Sequence, residues 1–167
     1  MGRYNAKELM HKILALALLI IFSNVVMANC GDESIRTIFG EENLAAKMYS
    51  AVQKQEMGGW KTGTFHTEKF YYIGKLTKDN SKIIHVGYLN TVWGSSCRAT
   101  LRLIFMNESY EEIGQYYGIE KPELIAPNTL SIPYEEQDKT TWGFNGTLPK
   151  CLMVADDCFP LENAIAL

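Results

Sequence analysis

Between Cys97 and Phe105 the chain alternates with a period of two. Cys97, Ala99, Leu101, Leu103 and Phe105 interleave with Arg98, Thr100 and Arg102. Successive side chains of a strand point to opposite faces, so this segment is a strand with one face buried and one polar. Upstream, Thr64–Thr77 and Lys82–Val92 are rich in aromatic and β-branched residues. Asp79-Asn80 and Gly94-Ser95 separate the three as turns.

Treating both turns as two-residue loops sets the register, and register decides which residues share a face. Val86 then lies opposite Ile73 and Leu103, Tyr88 opposite Tyr71 and Leu101, and Ile84 opposite Phe105. Cys97 and Ala99 extend this apolar face, which must be core. Later strands are expected at Thr129–Tyr134, Thr140–Phe144 and Lys150–Val154, with Asn145-Gly146 joining the last two as a hairpin turn. Tyr110–Ile119 reads equally as a helical turn or a loop.

Ahead of the strands, Asp32 is placed to cap a short helical stretch ending at Gly40. From Glu41 to Glu56, Leu44, Met48, Ala51 and Val52 follow helical spacing, with Glu41 and Glu42 in the first turn and Gly58-Gly59 as the stop. The expectation is an α+β fold: an N-terminal amphipathic helix followed by an antiparallel meander of about six strands.

The first 28 residues read separately. Arg3, Lys7 and Lys12 precede an apolar run from Ile13 to Phe22, and Val26-x-Ala28 supplies the small residues of a cleavage site. The run would span about 15 Å as a helix, against roughly 30 Å of hydrocarbon. Residues 1–28 are therefore expected to be a secretory signal, and residues 29–167 a single exported globular domain that does not span the membrane. Cys30 also sits where a lipoprotein keeps its first mature residue, but Asn29 is not the small residue usual before a lipidated cysteine. Even parity points instead to two disulfides in a periplasmic or extracellular setting. Cys30, Cys97, Cys151 and Cys158 allow three pairings, and spacing does not choose among them. The chain's formal charge is −3, and removing the basic leader leaves the body at −5, which argues against nucleic acid as a partner.

The same register gathers Phe70, Tyr72, His85, Leu89, Arg98, Thr100 and Arg102 on the second face, with Gly74 beside His85 and Gly87 between Tyr72 and Arg102. Glycines on a strand permit close approach, and guanidiniums offer a planar fork to carboxylate or phosphate. Tyr72, His85, Arg98 and Arg102 are the candidate ligand-binding residues. The alternatives are a solvated face with arginine stems lying over the aromatics, or a face covered by the 110–119 segment.

Catalytic patterns are sparse. Loss of the leader removes His11 and leaves His66 and His85 as bases. His85 falls too far from Ser95, Ser96 and Cys97 to activate any of them. His66-x-Glu68 puts two ligands on one strand face without further partners, so neither metal nor cofactor is expected. No stretch resembles a family motif. The leading expectation is a non-enzymatic exported domain that binds a protein partner or an anionic ligand. A small secreted hydrolase using His85 or His66, and a structural envelope protein with no discrete site, are the alternatives.

Overall fold

The computed structural model describes residues 35–55, 65–78, 82–93, 97–134 and 138–163. The leader, Cys30, Asp32, Gly58-Gly59 and the Asp79-Asn80 and Gly94-Ser95 turns lie outside the described residues. The fold is mostly antiparallel sheet with one helix, an α+β architecture.

The chain opens with strand β1 (Ile35–Phe39), followed by helix α1 (Glu42–Lys54). A long meander comes next: β2 (Phe65–Lys78), β3 (Lys82–Trp93), β4 (Ala99–Met106) and β5 (Glu112–Tyr117). Then come β6 (Glu123–Ala126), β7 (Thr129–Tyr134), β8 (Asp138–Gly143), β9 (Cys151–Val154) and β10 (Asp157–Pro160). They form a five-stranded sheet ordered β1-β2-β3-β4-β5, a three-stranded sheet β6-β7-β8, and the hairpin β9-β10.

This corrects the expected order of a helix followed by six strands. Ile35–Phe39, read as helical, is a strand paired parallel to β2, with Phe39 against Tyr71. Its β-branched and aromatic residues suit an extended backbone better than a helix. Gly40 ends it at φ 113°, and a Cβ there would lie 2.8 Å from the Tyr72 carbonyl oxygen. Only glycine makes this turn into α1 without strain. Glu112–Tyr117 is a strand. Asn145-Gly146 joins no hairpin, because β8 pairs with β7 and β9 with β10.

Two layers cover the five-stranded sheet. On one side Leu76, Ile84, Val86, Leu103, Phe105 and Tyr116 meet Leu130 and Ile132 of β7 and Leu152 and Val154 of β9. Asn128 ties the layers, accepting from Thr77 N–H at 2.6 Å and donating to the Thr77 carbonyl at 3.0 Å. On the other side Met48, Tyr49 and Val52 of α1 bury against Phe70, Leu89, Ile104 and Met106. The helix presents Ala45, Met48, Tyr49 and Val52 inward at the i, i+3, i+4, i+7 spacing of one face.

The register departs from expectation in two ways. Tyr71 faces Tyr88 as anticipated, but a bulge between Tyr72 and Gly74 shifts the rest, so that Gly74 pairs with Val86 and Lys75 with His85. Between β3 and β4 the strands slide by two residues, and Val86 meets Phe105 rather than Leu103. A slide of two preserves the faces. Its cause is Cys97, which is disulfide-bonded and has φ 51°; it turns in the loop instead of extending the core face, and Ala99 is exposed. Cys151 and Cys158 form the second observed disulfide position, a bond across the β9–β10 hairpin with Cα atoms 5.4 Å apart.

Candidate functional site

The four candidate residues are not assembled into one site. Tyr72 and His85 meet: the Tyr72 hydroxyl and His85 Nδ1 share a 3.0 Å hydrogen bond. The Tyr110 ring stacks on His85 with centroids 4.6 Å apart. Burial lowers the His85 pKa below the usual 6.5, the Lys75 charge acts in the same direction, and Glu108 opposes both. His85 therefore gives up its proton more readily than a free imidazole.

Arg102 lies beyond this group, opposite Leu89 and Tyr117, with its guanidinium 4.4 Å from the Tyr117 ring centroid. It is buried, and burial lowers its pKa while Tyr117, Glu162 and Glu112 oppose the change. Arg98 is exposed just before β4, its carbonyl accepting from Trp93 N–H at 3.1 Å. Four residues of extended chain separate the two arginines by about 13 Å. The depression expected at Gly87 is filled: a Cβ there would lie 2.7 Å from the Phe70 ring and 2.8 Å from Met48 Cε. The element that approaches Gly87 and Phe70 is α1, whereas Gly74 is met by Leu124 of β6. His66 lies on the β2 backbone, and its side chain is outside the described residues.

A buried carboxylate, two residues on from His66 in the strand, sits beside β1. Glu68 is fully buried; it accepts a hydrogen bond from the Tyr49 hydroxyl, and Arg36 Nε stands 3.2 Å from the same oxygen. Gln53 in turn donates to the Tyr49 oxygen at 2.9 Å. One carboxylate therefore links β1, α1 and β2. The available signal was its parity, which Glu68 shares with Phe70 and Tyr72 on the helix-facing side. Burial raises the Glu68 pKa above 4.5, and the Tyr49 hydrogen bond and the Arg36 charge pull it down.

Because the folded state holds that proton more tightly than the unfolded chain, stability from Glu68 is present at low pH. It declines as pH rises from the ordinary glutamate range through the folded pKa. His85 works oppositely, costing stability as pH falls below 6.5. Urea midpoints measured across this range are expected to show the downward contribution toward neutral pH shrink in Glu68→Gln. An unchanged slope in that variant would contradict the assignment.

The surface feature the sequence did not reveal lies at the β1 edge. Phe39 stacks on Tyr71 with centroids 4.5 Å apart and planes 9° from parallel. Lys121 Nζ lies 5.4 Å from the Tyr71 ring centroid. With Gly40, Ile73, Pro122 and Leu124 they line a groove of about 300 Å³. Ile35, Ile38 and Phe39 of β1 and Leu124 and Ile125 of β6 account for every exposed large apolar side chain among the described residues except Met153. A second depression, about 460 Å³, runs along α1 past Lys47, Ser50 and Lys54 to Tyr110. Among the described residues no cluster of three or more His, Cys, Asp or Glu is placed to hold a metal, and no helix is long and apolar enough to cross a membrane. Comparison with protein-family models, curated proteins and solved structures finds no match.

Proposed function

We propose that the chain is an exported, non-enzymatic binding domain that takes an extended polypeptide segment at the open edge of β1. The observation that carries this reading is the concentration of exposed apolar side chains on β1 and β6, of which Phe39 and Leu124 line one groove. Among the described residues β1 is the terminal strand of its sheet, so its outer backbone groups are available to an added strand. The groove beside Phe39 and Tyr71 offers a pocket for an alternate side chain of that segment. The polypeptide form of the expectation is favoured over the anionic ligand because Arg102 and His85 are enclosed. Export rests on the leader and agrees with the Cys151–Cys158 disulfide.

The test is selection of displayed random peptides against the oxidised domain, with Phe39→Asp as the counter-target. Enriched peptides are expected to carry apolar residues at alternate positions and to bind the variant about tenfold more weakly, in keeping with loss of an aromatic anchor. Peptides that bind both proteins equally, or no enrichment at all, would overturn the reading.

A further inference from the structure

We infer that Cys97 is bonded to Cys30, and that this bond clamps the start of β1 and leaves Cys30 no sulfur for a lipid anchor. The inference is independent of what docks at the β1 edge.

Elimination and position agree on the pairing. Cys97 is disulfide-bonded, and Cys151 is bonded to Cys158. Among the described residues no cysteine is free, and the sequence holds four, so Cys30 is the partner left. Register then brings the two ends together. Ile35 lies level with Thr67, Thr67 with Val92, and Val92 with Ala99. The start of β1 and the turn holding Cys97 are therefore at the same end of the sheet, three strand spacings or about 14 Å apart. Cys97 is fixed at that end: its N–H donates to the Trp93 carbonyl at 2.9 Å, and Trp93 N–H donates to the Arg98 carbonyl at 3.1 Å. Five residues lead from Cys30 to Ile35 and reach about 17 Å when extended. The disulfide itself bridges a further ~5.5 Å between Cα atoms.

Forming the bond takes two protons and two electrons from the two thiols. A protein disulfide of the exported compartment accepts them and becomes a dithiol. A lipoprotein anchor would instead use the Cys30 sulfur as a thioether to diacylglycerol. One sulfur cannot hold both bonds, so the disulfide excludes acylation there. Strand β1 also gains from the clamp. Of its five residues only Thr37 is partly buried. A strand with so little buried surface opens locally at low cost, and a covalent link just ahead of Ile35 restricts that opening.

Peptide mapping of the protein exported by its source cell, alkylated before digestion and never reduced, tests the pairing. One product is expected to join the Cys30 and Cys97 peptides and to separate on reduction. Cys97 joined to Cys151 or Cys158, an alkylated Cys97, or a diacylglyceryl group on Cys30 overturns it. Amide hydrogen exchange tests the clamp. In Cys30→Ser/Cys97→Ser the β1 amides are expected to exchange about tenfold faster, while Val86 and Leu103 stay as protected as in the wild type. Unchanged β1 protection overturns the clamp. The mapping uses the wild-type chain, so the pairing is decided whether or not the variant folds.

Discussion

Replacing Phe105 with alanine is expected to lower the unfolding free energy by about 3–5 kcal/mol, the usual cost of emptying a large buried aromatic site. Phe105 has no exposed surface and sits where the five-stranded sheet meets the smaller layers. Its ring makes an edge contact with Tyr116 of β5 at 5.8 Å and another with Trp142 of β8 at 6.0 Å. Tyr116 is itself fixed, its hydroxyl donating to the Pro149 carbonyl at 2.7 Å. Tyr116 is not free to collapse into the vacated volume, so a cavity cost adds to the lost burial. Urea unfolding of wild type and variant checks this. A loss below about 1 kcal/mol would mean that the layers do not pack through this ring.

The second large effect is expected at Gly87, where adding one methyl group should cost about 1–3 kcal/mol. The added carbon would enter the Phe70 ring at 2.7 Å and Met48 Cε at 2.8 Å. Met48 is flexible and can yield, but Phe70 is fully buried and wedged beneath Tyr49, with ring centroids 5.5 Å apart. Shortening Met48 in the same chain tests the mechanism. The double variant Gly87→Ala/Met48→Ala should lose less stability than the sum of its singles, since the two changes compete for one volume. Strict additivity, or a neutral Gly87→Ala, would show that α1 is not seated this closely on β3.

Particular residues show why some of this was legible in the sequence and some was not. The alternation through Leu101, Leu103 and Phe105 correctly separates the sheet's two sides, because sidedness follows from a period of two and survives the observed slide. The same pattern carries no information about a slide of two, and so Val86 was matched with the wrong partner. The helix spacing of Met48 and Val52 was readable, but what α1 would cover was not. Tyr72 and His85 look like a wet face until the Tyr110 ring stacks on His85. Ile35–Phe39 carried a strand signal in its branched residues, yet the nearby Asp32 and Gly40 read as helix punctuation. The exposed edge of β1 emerges only from strand order, which depends on a parallel pairing that local sequence does not specify.

The bulge at Ile73 lets one strand serve both layers. Before it, Phe70 and Tyr72 look toward the helix; after it, Leu76 looks the other way, into the core shared with β7 and β9. For the gene, this makes the segment less tolerant of changes in length than of changes in content. A substitution along β2 alters one side chain in place. Loss of the Gly74 codon, with the bulge kept, would re-address every side chain downstream of it, setting Leu76 opposite His85 and the charge of Lys75 opposite Val86 in the apolar layer, whereas loss of Ile73 would only remove the bulge.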